Sequence, residues 1–238
     1  MNALDLDKLS LYWEMVNAEK IALLNLLGDI KPLVSIEIGS REGGSLQLIS
    51  QLSKTVYSLD IDPSVKNLTE KFSNVNFIIG DSKDTLPVLL NDLSEKNEHP
   101  DFILIDGDHS AEGVKRDIEN ILQLKIAKPL VILVHDSFNP TCRKGMLDAD
   151  YTINNNVEKI EIDFVQGIFS PSPTTKGEMW GGFGVIYLNP KTNSNKPAIE
   201  QSNAFSYYKT FLLSKHYHST QSSFLSRIKS YFFRKLYS

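Results

Sequence analysis

Val34-Ser35-Ile36-Glu37-Ile38-Gly39-Ser40-Arg41-Glu42-Gly43-Gly44-Ser45 is the stretch from which the fold follows. Apolar and β-branched residues run up to an acid and a glycine, three residues intervene, two more glycines follow, and an apolar-periodic segment begins at once. The pattern reads as strand, tight turn, helix. Where a nucleotide-like ligand lies across a strand end, a Cβ would stand in its way, so Gly39 and Gly43 are candidate floor positions. A turn built for pyrophosphate would read G-x-G-x-x-G. Here Glu37 stands in the first glycine's place, and its charge would repel a phosphate; a carboxylate suits a ligand that is cationic or rich in hydroxyls.

The same rhythm returns on the C-terminal side. Thr55 to Leu59 is a second β-rich run, ending in Asp60-Ile61-Asp62-Pro63. Asp62 before Pro63 marks a helix start, because Asp accepts from free N–H groups and proline suits the first helical position. Asp60 is thereby left free to face a ligand. Val65, Leu68 and Phe72 follow at helical spacing. Val75 to Ile79 ends in Gly80-Asp81-Ser82 and leads into Leu86, Leu89, Leu90 and Leu93 on one helical side. Asp101 to Asp106 ends in Gly107-Asp108-His109, with Val114, Ile118, Ile121 and Leu122 behind it. Leu130 to Val134 ends in His135-Asp136-Ser137. Apolar runs that stop at acidic clusters and pass into helices predict a parallel sheet covered on both faces.

The flanks are read from weaker signals. Residues 4 to 30 are expected to be helical, with Leu9, Trp13, Val16, Ile21, Leu23, Leu24 and Leu27 on apolar faces and a stop at Gly28 and Pro32. They would cap the sheet or build part of a pocket. Val157 to Phe164 and Gly184 to Leu188 are expected as a final pair of strands around a loop rich in Pro, Gly and Ser, which would close over an acceptor from Ser170 to Gly182. Asn189 to Asn203 reads as a linker. The expected organisation is a helical cap at 1–32, a catalytic domain at 33–190, and a linker with a basic amphipathic helix at 191–238.

Ligands of open parallel sheets sit beyond the carboxyl ends of the strands. Those ends carry Glu37 and Gly39, Asp60, Asp81 and Ser82, Asp106 and His109, and His135 and Asp136, so all should converge on one rim. The acid-x-Gly-x-x-x-Gly pattern from Glu37 to Gly43 resembles the first motif of the class I S-adenosylmethionine-dependent methyltransferases. Ile105-Asp106-Gly107-Asp108-His109-Ser110-Ala111-Glu112-Gly113-Val114-Lys115-Arg116-Asp117 is similar to the fourth motif of a subgroup related to macrocin and mycinamicin O-methyltransferases, and more distantly to catechol O-methyltransferases. The resemblance spans roughly residues 33 to 140.

That resemblance implies an α/β, Rossmann-like methyltransferase fold: a central, mostly parallel, seven-stranded sheet with helices on both faces and an antiparallel last strand. It implies S-adenosylmethionine as cofactor, held by Glu37, Gly39, Ser40, Gly43 and Ser45, with Asp60 on the ribose hydroxyls and Asp81 and Ser82 at the adenine. It also implies a divalent metal, usually magnesium, on Asp106 and Asp136, with Ser137 where the subgroup commonly places an acid or Asn. His109 takes the position of general base. Magnesium prefers oxygen ligands, whereas the ring of His135 suits zinc or iron better. A weaker site, another metal, and metal-free chemistry on His109 all remain compatible with this set. The acceptor would be a hydroxyl of a small molecule such as a sugar or natural-product glycoside.

Composition bounds the rest. With 238 residues, 41% of them hydrophobic, the chain can bury one sizeable core. The single cysteine, Cys142, excludes an internal disulfide. No run reaches the roughly 18 to 20 apolar residues of a membrane span, and the N-terminus lacks a secretory pattern, so a soluble, cytoplasmic protein is expected. The net charge of −4 hides an asymmetry: residues 191–238 carry eight Lys/Arg and the single acid Glu200, which leaves the remainder strongly acidic. An acidic body argues against nucleic acid as a partner. Leu225, Ile228, Phe232 and Leu236 fall near one helical face among basic residues, suited to packing on the domain, to a second copy in a homo-oligomer, or to weak contact with an anionic membrane. Competing readings are a hydroxylase-like member of the same sequence neighbourhood and a non-catalytic adenosyl-binding module. A nicotinamide dehydrogenase is disfavoured by Glu37.

Overall fold

Strand β1 (Val34–Ile38) is buried along its whole length, with β2 (Thr55–Asp60) on one side and β4 (Phe102–Ile105) on the other, both parallel to it. The computed structural model describes residues 9–219; the amphipathic helix expected around Leu225 to Leu236 lies outside them. Beyond β2 the chain adds β3 (Val75–Ile79), and beyond β4 it adds β5 (Leu130–His135). Then β9 (Phe183–Leu188) runs antiparallel to both β5 and β6 (Val157–Val165). The sheet order is β10-β6-β9-β5-β4-β1-β2-β3. It is the expected sheet with an eighth strand, the two-residue β10 (Ile199–Glu200), pairing in parallel with β6. The segment expected to be linker thus makes an edge strand; just after it, Ser202 hydrogen-bonds the Glu161 carboxylate through its amide and its hydroxyl.

The alternation of side chains across each strand divides the core into two layers. Ile103 and Ile105 of β4, with Ile36, Ile38, Ile132 and Val134, meet α3 (Ser82–Glu95), α4 (Ala111–Leu122) and α5 (Pro140–Asp148) through Leu86, Leu90, Ile118, Ile121 and Met146. Phe102 and Leu104 face the other way. There, with Leu133 and Val185, they pack against α2 (Leu46–Leu52) and α1 (Asn17–Ile30) through Leu23, Leu27, Leu46 and Ile49. Burying a Leu, Ile or Phe side chain of this kind contributes about 1.5–3 kcal/mol, so the two layers dominate stability.

Helix α1 begins later than the periodicity predicts. The backbone amide of Val16 donates to Glu19 at 2.6 Å, starting the helix at Asn17. Residues 9–16 are irregular, and Leu11 is tied to α2 by the side chain of Gln47, which bonds both its amide and its carbonyl. The helix stops at Lys31 in a left-handed conformation before Pro32. Asp62 accepts from the amide of Ser64 as its position requires, although the helix it caps, Pro63–Lys71, is a 3₁₀ helix. After β6 come the short strands β7 (Ile168–Phe169) and β8 (Met179–Trp180), a two-stranded hairpin. Helix α6 (Ala204–Leu213) follows β10. Among the described residues no helix is long and apolar enough to cross a membrane.

Candidate active site

The chain leaves β1 for β2 and β3 on one side and β4 and β5 on the other, and a crevice opens beyond the strand ends where the order reverses. A cavity of about 870 Å³ occupies it. Gly39, Ser40, Ser45, Asp60, Asp81, Ser82, Asp106, His109 and Asp136 all line this cavity. Glu37, Gly43 and Ser137 do not.

Gly39 has φ +86°, and a Cβ there would lie 2.2 Å from the carbonyl oxygen of Asp106. Only glycine lets the end of β1 approach the end of β4 this closely. The expectation for Gly43 is corrected: its open side faces Leu11 and Leu68 rather than a ligand. Glu37 is corrected too. It is wholly buried and accepts from the hydroxyls of Ser40 and Ser45, bracing the turn from beneath. Burial pushes its carboxyl up to about 8 against the pull of those hydroxyls, and it does not line the cavity.

Asp60 lines the cavity but is not free. One oxygen accepts from the amides of Ser40 and Arg41 at 2.9 and 2.8 Å, and the other accepts from the amide of Asp62 at 2.8 Å. Its first task is to hold the glycine turn onto β2. Asp81 caps α3 through the amide of Lys83. Ser82 donates to both oxygens of Asp117 at 3.0 Å, and burial raises the fully buried Asp117 to about 6.

The opposite half of the rim holds the titratable cluster. One ligand atom each from Asp106, His109 and Asp136 lie within 4.8 Å of one another. His109 Nε2 stands 3.5 Å from Asp106, and its Nδ1 stands 3.6 Å from Asp136. The hydrogen bond to Asp106 raises the His109 pKa above its usual value against the opposing effect of burial. Asp136 sits at φ 57°, a left-handed conformation that costs a non-glycine residue energy and is tolerated best by Asp and Asn. It accepts from the amide of Gly181 at 2.5 Å. Ser137, expected beside Asp136 in the metal set, is buried and does not line the cavity; its amide is on the carbonyl of Gly182 and its carbonyl accepts from Arg143.

His135 is committed elsewhere. Its Nδ1 lies 2.8 Å from Asp106 and its Nε2 lies 3.3 Å from Glu19, so both nitrogens are occupied and neither is open to a zinc or iron ion. Burial disfavours its charge, yet Asp106 and Asp136 hold the ring protonated well above the ordinary histidine range. Glu19 is the residue that sequence reading missed. Buried in α1, it also accepts from the amide of Gly182 and lines the cavity. Its only sequence signal was a position three residues after the capping residue Val16.

The loop between β7 and β8 walls the cavity with Ser170, Ser172, Thr174 and Thr175, and Trp180 sets its ring 5.9 Å from that of His109. The loop expected from Ser170 to Gly182 thus forms one wall of the cavity.

Residues 36–137 match the model of a family described as a methyltransferase domain. No curated protein matches the chain. Among solved structures, the cofactor-bound protein Rv0187 from MTB is similar with a TM-score of 0.50 and 20% identity, over 78% of this chain and 86% of that one. The O-methyltransferase TomG of Streptomyces achromogenes, involved in tomaymycin synthesis and solved with S-adenosylmethionine, is similar with a TM-score of 0.50 and 13% identity, over 74% and 81%. These likenesses bear on the fold alone. Residues 36–137 thus resemble a methyltransferase domain, and the likeness to solved structures agrees with that at the level of fold.

Proposed function

We propose that the protein transfers the methyl group of S-adenosylmethionine to a hydroxyl of a small molecule, a sugar or natural-product glycoside, with a divalent cation at Asp106 and Asp136 and His109 as general base. The observation that carries this reading is the meeting of Asp106, His109 and Asp136 in the same cavity as the glycine turn. Two carboxylates and room for water fit magnesium, which takes oxygen ligands and keeps much of its hydration. An imidazole is a poor magnesium ligand, which leaves His109 for proton transfer. A bound cation would lower the pKa of an acceptor hydroxyl beside it.

The chain's own residues supply the rest. Ser40, Ser45 and the main chain at Gly39 form the floor on the donor side, and Asp60 fixes that floor by its backbone bonds. Asp106 holds His109, and a ring nitrogen of His109 receives the hydroxyl proton. The acceptor oxygen forms a bond to the methyl carbon as the carbon–sulfur bond breaks, leaving a neutral thioether. Much of the acceleration comes from alignment of the two reactants.

The test is a screen of hydroxylated glycosides with labelled methyl donor, with and without EDTA, beside calorimetry with S-adenosylhomocysteine. His109→Ala should lower kcat by about 10²–10⁴-fold and leave S-adenosylhomocysteine affinity within about threefold, roughly 0.7 kcal/mol. Unchanged turnover in His109→Ala, or full activity in EDTA, would remove the base or the metal respectively.

A further inference from the structure

The hairpin that walls the cavity is only two residue pairs long, Ile168 opposite Trp180 and Phe169 opposite Met179. Met179 is fully buried, so its backbone N–H needs an acceptor inside the protein. It donates to Nε2 of His216 at 3.1 Å. Two residues earlier, the carbonyl of Gly177 accepts from the amide of Lys215 at 2.7 Å. The outer edge of β8 is therefore closed by the segment that follows α6, where another sheet would use a further strand.

Aromatic packing fixes that segment. Tyr207 of α6 meets Phe138 edge-on at 5.6 Å and lies under the guanidinium of Arg143 at 4.0 Å. Phe211 stacks beside Tyr207, and Tyr217 meets Phe211 edge-on at 5.8 Å. Between them Ser214 is fully buried, with its hydroxyl on the carbonyl of Phe211 where α6 ends. His216 is thus delivered to β8 from a part of the fold anchored on α5.

The bond from Met179 has a fixed direction. An amide only donates, so Nε2 must keep its lone pair and the ring must be neutral with its proton on Nδ1. A protonated ring carries a donor at each nitrogen and can no longer accept from Met179. Partial burial holds the pKa of His216 below the ordinary histidine value against the pull of Glu178, and the Glu178 carboxylate accepts from the indole N–H of Trp180 at 2.9 Å. The other titratable groups beside the ring along the chain are Lys176 on the loop and Lys215, Tyr217 and His218 on its own segment.

Trp180 sits between two fastenings. Met179 before it is held by His216, and Gly181 after it donates to Asp136 at 2.5 Å. Its ring stands 5.9 Å from that of His109, on the wall completed by Ser170, Thr174 and Thr175. We propose that neutral His216 is a positioning residue: by accepting from Met179 it sets Trp180 and the loop wall facing His109, and on gaining a proton it releases them. The role in the reaction rests on reading this side of the cavity as the acceptor's.

The first test reads the loop in the full chain labelled with ¹⁵N. His216 should show the Nδ1–H tautomer at about pH 7.5 and titrate with a midpoint below about 6.5, and the Trp180 indole resonance, assigned with Trp180→Phe, should shift with the same midpoint. The second is trypsin cleavage after the exposed Lys176. Cleavage follows the open fraction of a segment, so His216→Ala should be cut there about tenfold faster than the parent. His216→Gln, whose side-chain oxygen can accept from Met179, should stay within about threefold of the parent. Both variants should keep the S-adenosylhomocysteine affinity of the parent, and His216→Ala should raise the acceptor KM by a larger factor than it lowers kcat. Should His216→Ala not fold, the titration of the parent decides. An Nε2–H tautomer at neutral pH, a Trp180 resonance indifferent to the His216 titration, or equal cleavage of parent and His216→Ala overturns the proposal. These loop readouts need no acceptor, so a glycoside screen without methyl transfer would strike the proposed function and leave the His216 latch standing.

Discussion

Glu37 is a carboxyl with nowhere to place a charge: fully buried, it has Ser40 and Ser45 as hydroxyl partners and Asp60 and Asp106 nearby. Its job is to brace the turn, and a neutral amide of the same shape can do that job. Glu37→Gln should therefore keep S-adenosylhomocysteine affinity within a few-fold by calorimetry. Glu37→Ala strands two buried hydroxyls, each costing about 1–3 kcal/mol, and thermal unfolding should drop accordingly. If Gln weakened the donor complex as severely as Ala, a charged contact with the donor would be back in force. Asp60 shows the same logic. Its carboxylate already accepts three backbone amides, so Asp60→Ala should loosen the glycine turn itself and weaken donor binding by more than a lost ribose contact alone, about 1.5–3 kcal/mol or 10–100-fold.

At the level of elements, two buried ionic knots fasten the site. Glu19 ties the start of α1 to the end of β5 through His135 and to the β8–β9 turn through Gly182. Arg143 of α5 ties β6 through both oxygens of Asp163, reaches the carbonyl of Ser137 and the side chain of Gln201, and carries Tyr207 of α6 on its face. Arg143→Ala leaves Asp163 buried without its cation, and breaking a buried pair from one side costs about 3–5 kcal/mol. Urea unfolding should read a loss of that size, larger than for Lys144→Ala, whose exposed pair with Asp148 is worth at most about 1 kcal/mol. These elements were unequally legible. The β–α units from β1 to β5 follow from local periodicity. Helix α6 and strand β10 were missed because their formation depends on distant partners, Arg143 and Glu161, rather than on a strong pattern of their own.

Across the whole molecule the ionisable groups set a pH profile of stability. Burial raises Glu37 to about 8 and Asp117 to about 6. For both, the folded chain binds more protons than the unfolded one between the ordinary carboxylate range and those values, so each lowers stability as pH rises through that window. His135, raised well above the ordinary histidine range by Asp106 and Asp136 against its burial, contributes stability below about 6.5 that is lost as pH climbs through its folded value. Glu19, lowered because His135 and the amides of Gly182 and Val16 outweigh its burial, acts oppositely and loses its contribution in acid. The melting temperature should therefore peak in mildly acidic buffer and decline toward pH 9. Glu37→Gln should flatten the decline up to about 8, where one proton accounts for at most about 1.4 kcal/mol per pH unit. A profile rising steadily from pH 5 to 9 would contradict these assignments.

What the sequence by itself determined is the alternation of strand and helix, the carboxyl-end rim and most of the residues on it, because periodicity, glycine spacing and caps act over a few neighbouring residues. What only the tertiary structure decided is the work each acid performs. Burial raises the Glu37 carboxyl and sets it to bracing the turn, Asp60 is spent on holding the turn, and Glu19 reaches the site across 163 residues to Gly182. A side chain's charge and partners depend on what is packed around it in space, and local sequence carries no record of that.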